Sequence, residues 1–112
     1  MTSRSGRSND AALMILTSLA DGPKHGYALL KDIESFAGAK LGPGTLYGAI
    51  SRLEERGMIE ALEPDGRTRP YRLTPAGREE LAATLSELRA VLDEGSARLG
   101  RRPRLTTAAA RA

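Results

Sequence analysis

The residues best suited to chemistry are four arginines between Gly66 and Arg78, a stretch that contains no acidic residue. They are Arg67, Arg69, Arg72 and Arg78. A guanidinium group keeps its charge at any physiological pH and donates paired hydrogen bonds to phosphate oxygens. Such local clustering is typical of a surface that binds a polyanion, and nucleic acid is the commonest one.

The absence of cysteine and the presence of a single histidine exclude several kinds of catalytic and metal site. The 112-residue chain has no cysteine, which excludes disulfides, a thiolate nucleophile, cysteine-bound zinc and iron–sulfur clusters. Its one histidine, His25, precedes a predicted helix, and a turn or capping role is favoured over a catalytic one. The sequence therefore predicts no enzyme, no metal and no cofactor.

The net charge is less informative than its distribution. The formal net charge is +3, but residues 1–8 and 98–112 carry seven arginines and no acidic residue. Residues 9–97 hold ten basic and fourteen acidic residues, a net of −4. Attraction to a polyanion must therefore depend on local clusters. No apolar stretch is long enough for a membrane span, and we expect a cytoplasmic protein.

Three helices are predicted in the first half of the chain. The first begins at a cap on Asn9 or Asp10, after a disordered tail of residues 1–8, and ends at Asp21-Gly22-Pro23. The second runs from about Gly26 to Gly38. The apolar spacing predicts one buried face for it, made of Leu29, Leu30, Ile33, Phe36 and Ala37.

The third helix starts after a short turn, with Pro43 at its first position, and ends at Gly57. Its buried stripe is Leu46, Ile50 and Leu53. The opposite side consists mainly of small or polar residues, which would allow close approach to another surface. They are Gly44, Thr45, Gly48, Ser51 and Arg52.

A strand–loop–strand hairpin from Met58 to Leu73, here called the wing, follows the third helix. Its turn is Pro64-Asp65-Gly66, and Pro70 should keep the returning strand short or at an edge. Helix, helix, turn, helix and hairpin together make a winged helix-turn-helix. In that fold the third helix enters the DNA major groove by its amino end, and the wing lies along the backbone.

Thr74-Pro75 is a strong helix start, and the last helix is predicted to run to Leu99. Leucines recur along it with heptad spacing, which is typical of a coiled-coil seam between two copies of the chain. They are Leu81, Leu85, Leu88, Leu92 and Leu99. The expected fold is thus mainly α with a two-stranded β-hairpin: a winged helix-turn-helix over 9–74, a dimerisation helix over 75–99 and a basic disordered tail over 100–112.

Four linked motifs resemble the PadR family of transcriptional regulators, in its short form with one carboxy-terminal helix. They are residues 15–27, 41–47, 52–59 and 71–77. The resemblance implies a homodimeric repressor that binds a near-palindromic operator in double-stranded DNA. It places Gly44, Thr45 and Tyr47 at the DNA, with Arg67 and Arg69 on the wing. Gly42 departs from the polar cap frequent in the family.

Two questions stay open at this stage. Some relatives bind small aromatic molecules between the first and last helices, but this chain offers few aromatic partners, so any effector is unknown. The alternative function is a winged-helix protein-interaction module that does not bind DNA, and the net charge of −4 in the body of the chain favours it.

Overall fold

A computed structural model describes residues 3–38 and 40–101 and contains seven elements in this part of the chain. They are α1 (Ser3–Leu19), β1 (Lys24–His25), α2 (Gly26–Ala37), α3 (Pro43–Glu55), β2 (Ile59–Ala61), β3 (Pro70–Leu73) and α4 (Pro75–Leu99). The chain divides into two compact units, Met1–Ala82 and Ala83–Ala112. The boundary lies inside α4, whereas the sequence had placed it at residue 74.

The core of the first unit forms around α1, whose apolar residues face both α2 and α3. Buried leucine and isoleucine side chains from all three helices make one cluster, which the first residue of β2 completes. Its fully enclosed members are Ile15, Leu19, Leu29, Ile33, Leu46, Ile50, Leu53 and Ile59. The stripe predicted for α3 is therefore confirmed.

The helix boundaries follow local signals. His25 caps α2 by accepting a hydrogen bond from the Ala28 amide at Nδ1 (3.4 Å), as its predicted capping role requires. Gly38 ends α2 in the left-handed conformation, with φ 70°. Gly42 precedes α3 without any side-chain cap, and Pro43 supplies the first-turn geometry instead.

The sheet has three antiparallel strands in the order β1-β3-β2, one strand more than the sequence predicted. Strand β1 is only two residues long, and its pairing of Lys24 with Tyr71 defines it. No periodicity can appear in two residues. Pro70 consequently begins the central strand rather than an edge strand. Its carbonyl still accepts a hydrogen bond from Leu62 (2.8 Å), and the first position of a strand tolerates its missing N–H.

Three further expectations differ from the structure. Helix α1 begins at Ser3, so residues 3–8 are helical rather than a disordered tail. Phe36 is 48% exposed, outside the buried face assigned to it in α2. Leu81, predicted in the dimer seam, is 6% exposed and belongs to the core of its own chain. The predicted basic tail lies outside the described residues from 102 onward.

The start of α4 is held tightly against the end of α3. The Thr74 hydroxyl donates to the Gly57 carbonyl (2.6 Å) and accepts from the Gly77 amide (3.0 Å), which confirms Thr74 as the helix cap. A Cβ on Gly77 would lie 2.0 Å from the Met58 carbonyl oxygen. Only glycine fits there, because the obstacle is backbone.

In the second unit, residues 83–99 continue α4 with an exposed apolar stripe. Leu85 and Leu88 are each 45% exposed, Leu92 is 62% exposed and Leu99 is 90% exposed. Arg98 pairs with Glu94 one turn away (2.6 Å). Within residues 3–38 and 40–101, no helix is both long and apolar enough to cross a membrane.

Replacing Gly77 with alanine should lower the free energy of unfolding by about 1–3 kcal/mol, because the Met58 carbonyl must be displaced. Gly44→Ala, on the exposed side of α3 with no atom within 4 Å of the new Cβ, is the matched control. It should raise the free energy by about 1 kcal/mol through helix propensity. Urea denaturation at one protein concentration measures both. Equal effects from the two substitutions would refute the close contact at Gly77.

Candidate nucleic-acid interface

Helix α3 has two faces of opposite character. Its apolar residues are buried against the rest of the first unit, and Pro43, Gly44, Thr45, Ser51 and Arg52 are exposed. Gly48 lies between them and is half-buried. The turn between α2 and α3 and the position of the wing complete the winged helix-turn-helix. The exposed face therefore meets the steric requirement for entering a groove: its first two turns carry short side chains.

Helical geometry allows Tyr47, next to Leu46 and Ile50, either a packing role with its hydroxyl at the rim or a phosphate contact. Its ring lies over Gly26 at the amino end of α2, where a Cβ on Gly26 would be 2.0 Å from the tyrosine hydroxyl oxygen. Gly26 is buried, and Tyr47 is 48% exposed. The tyrosine ring thus packs against the start of α2, while about half of its surface stays exposed to solvent. The tyrosine side chain occupies the space that a Cβ at Gly26 would take.

The wing brings its arginines back toward α3. Asp65 and Thr68 pair across the tip, where Gly66 takes the left-handed conformation (φ 67°) that the tight turn requires. Arg69 donates from Nη1 to the Leu62 carbonyl (3.2 Å), a contact across the base of the loop. Arg67 and Arg69 are both exposed.

A cleft of about 290 Å³, here called the α3–wing cleft, lies where these parts meet. Residues from β1, α2, α3, the wing tip and β3 line it: His25, Gly26, Tyr27, Tyr47, Arg67, Thr68, Arg69 and Tyr71. Arg67, Arg69 and Tyr47 therefore line the same cleft. In the sequence, the motif of the third helix assigned Tyr47 to the DNA-binding side, and the wing assigned the two arginines. The cleft lining holds two guanidinium groups and no carboxylate.

The Tyr71 hydroxyl lines the cleft and is protonated, so it can act as a hydrogen-bond donor. Burial raises the pKa of Tyr71 above its ordinary value, and the nearby Glu54 carboxylate raises that pKa further. The phenol therefore stays neutral at physiological pH and can donate a hydrogen bond to an anion.

The predicted arginines differ in whether a carboxylate neutralises them. Arg72 forms an ion pair with Glu60, directly opposite in the neighbouring strand. Arg52, Arg67 and Arg69 take part in none of the ion pairs between described residues. Ion pairing of Arg52 with Glu54 or Glu55, the simplest surface role for it, is therefore not what the structure shows. The guanidinium groups of Arg52, Arg67 and Arg69 are therefore available to bind another anion.

A phosphate contact from the amino end of α2, beside His25, is an open possibility in the sequence, but none of the predicted DNA-binding residues comes from that end. His25, Gly26 and Tyr27 line the cleft because β1 pairs with β3 beside Pro70 and Tyr71. A two-residue strand leaves no periodic signal. The clue in the sequence was the short distance between the Asp21-Gly22-Pro23 turn and the start of α2 at Gly26.

Comparison with known proteins identifies the family. The model of the transcriptional regulator PadR-like family matches residues 15–83, which is more than half of the chain. The chain belongs to this family. The match includes the complete helix-turn-helix and wing, together with the buried first turns of α4. The winged-helix fold and the resemblance seen in the sequence are both confirmed.

Individual relatives agree with this assignment. The chain is 44% identical over 85 residues to the transcriptional regulator Rv3488 of Mycobacterium tuberculosis, covering 73% of this chain and 75% of that protein. It is 56% identical over 75 residues to an uncharacterized 37.1 kDa protein of a Streptomyces fradiae transposon, covering 67% of this chain. The match spans only 22% of the length of that Streptomyces protein.

Solved structures show the same fold. A transcriptional regulator from Clostridium thermocellum superimposes with a TM-score of 0.73 at 25% identity, covering 90% of this chain and 99% of that one. A PadR family regulator from Clostridium difficile gives a TM-score of 0.73 at 23% identity, covering 80% and 98% of the two chains.

The contact between Tyr47 and Gly26 predicts energetic coupling. Gly26→Ala should destabilise the protein when Tyr47 is present and should have little effect beside Tyr47→Ala, because the clash is then gone. We expect a coupling energy of about 0.5–3 kcal/mol from a double-mutant cycle in urea. Gly44→Ala, with open space around its Cβ, is the control and should be additive with Tyr47→Ala. An additive Gly26 cycle would contradict the packing.

Proposed function

We propose that the chain is a sequence-specific DNA-binding repressor that acts in the cytoplasm as a homodimer on a near-palindromic operator. The observation that carries the proposal is the α3–wing cleft, whose lining brings Tyr47 of α3 together with Arg67 and Arg69 of the wing. Neither arginine takes part in an ion pair between described residues. Family membership supports transcriptional regulation. The choice of repressor, the symmetry of the operator and the dimer are proposals that go beyond it.

The division of labour on this surface follows from side-chain length and charge. The first turns of α3 carry Gly44, Thr45 and Gly48, which allow the helix backbone to come close to base edges. Arg67 and Arg69 lie beside that helix and can neutralise phosphates of the flanking backbone, releasing counterions. Tyr47 and Ser51 border the same face and can donate hydrogen bonds to phosphate oxygens.

The exposed stripe of α4 supports the homodimer. Leu85, Leu88, Leu92 and Leu99 keep between 45% and 90% of their surface exposed in the single chain. Leucines with heptad spacing are stabilised when a second helix covers them. The stripe excludes Leu81, which the core of its own chain already buries. A symmetric pair would present two equivalent copies of α3 to two half-sites.

Removing either wing arginine should weaken binding to every duplex. Arg67→Ala and Arg69→Ala should each lower the salt slope of DNA binding by about one, since one phosphate contact is lost. Arg72→Ala is the matched control, because it removes the same charge from a residue that Glu60 already neutralises. Fluorescence anisotropy across a salt series measures the slopes. If Arg72→Ala changes the slope as much as the other two, the wing assignment is wrong.

Introducing a charge into the α4 stripe should separate the dimer. We expect Leu85→Asp to give a monomer that binds DNA much more weakly, while Ala90→Asp, an exposed position on the opposite side of the helix, leaves both properties unchanged. Light scattering reports the mass and a gel shift the affinity. A Leu85→Asp dimer would refute the stripe as the interface.

The alternative is a protein-interaction module that uses the same fold without DNA. It predicts that the wild-type chain protects no DNA from nuclease cleavage and shows no salt-dependent binding to DNA. The outward side of α3 gives it little support, because that side lacks the apolar residues a protein partner would bury.

A further inference from the structure

Arg52 is the one long donor side chain left on the outward face of α3. Arg52 lies in the last turn of α3, and the outward residues before that turn are small: Gly44, Thr45, Gly48 and Ser51. Tyr47 is directed toward Gly26 and the α3–wing cleft. On this face of α3, Arg52 is therefore the side chain that can donate two parallel hydrogen bonds to a base edge.

The guanidinium of Arg52 is directed toward the amino end of α3. Its Nη1 atom lies 3.6 Å from the place that a Cβ on Gly48 would take, one turn earlier in the helix. A Cβ at that position would be in ordinary van der Waals contact with the guanidinium. No carboxylate among the described residues pairs with the guanidinium, although Glu54 and Glu55 are neighbours in sequence.

Arg52 belongs to the last turn of α3, and its side chain carries the guanidinium back beside Gly48. A free guanidinium that reaches the major groove has one preferred base. Guanine presents N7 and O6 as two acceptors on the same edge, and arginine binds both at once. Adenine, cytosine and thymine present no such pair of acceptors in that groove. A phosphate would also accept two hydrogen bonds, but it would do so at every sequence.

We propose that Arg52 is the specificity-determining residue of the interface and reads one guanine in each half-site. This rests on the proposed DNA-binding function and adds to it the identity of a base.

The test is selection of binding sites from a random duplex pool by the full-length wild-type protein, Arg52→Ala and Arg52→Lys. Arg56→Ala, which replaces the exposed arginine at the carboxy-terminal cap of α3, is the matched control for charge. Wild type and Arg56→Ala should select the same site, with a guanine at one position of each half. Arg52→Ala should lose the preference at that position alone, by about 10–100-fold, and Arg52→Lys should keep part of it.

Replacing that guanine with 7-deazaguanine removes the N7 acceptor while base pairing is kept. It should weaken wild-type binding and leave Arg52→Ala unaffected. Uniform loss of affinity in Arg52→Ala, with the preference for guanine retained, would overturn the proposal and assign Arg52 to a phosphate. If the wild type binds no duplex at all, the proposed function itself fails, so the two failures are distinguishable.

Discussion

The packing of α3 against α1 is the interaction on which the rest of the structure depends. Leu46, Ile50 and Leu53 are almost completely buried, and this stripe determines which side of α3 faces outward. With 3.6 residues per turn, burying these positions necessarily exposes Gly44, Thr45 and Arg52 on the opposite side. The same constraint places Tyr47 at the edge between the two sides, where its ring covers Gly26. The surface proposed for DNA is therefore a consequence of how the core is filled.

The wing is positioned by backbone contacts at both of its ends. Its outgoing strand begins beside the Gly57 turn, and its returning strand pairs on one side with β2 and on the other with β1. Thr74 then joins the end of the wing to the start of α4, because its hydroxyl lies within hydrogen-bond distance of the Gly57 and Met58 carbonyls and accepts from the Gly77 amide. The arginines of the tip thus lie on a hairpin held from two sides. Such support favours a defined position beside α3 over a freely moving loop.

Much of this could be predicted from the sequence, because the strongest signals are local. Apolar spacing, Pro43, Gly38 and Thr74-Pro75 predicted α2, α3 and α4 nearly to the residue. What the sequence did not predict depends on partners distant in the chain. Strand β1 exists only because β3 lies beside it, and Leu81 continues the leucine spacing of α4 but meets the core first. Phe36 fits the helical spacing of α2, yet no side chain of the described residues buries it fully. The direction of Tyr47 depends on the absence of a side chain at Gly26, which no spacing rule contains.

The central claim is that one surface, made of the outward side of α3 and the tip of the wing, binds the DNA backbone and grooves. The most direct measurement is an NMR titration of the isotope-labelled full chain with a double-stranded DNA, followed residue by residue at low and high salt. The account predicts amide shifts concentrated in residues 43–52, 66–69 and 25–27, which disappear as salt is raised. Shifts concentrated elsewhere in the first unit, with residues 43–52 and 66–69 unchanged, would contradict it.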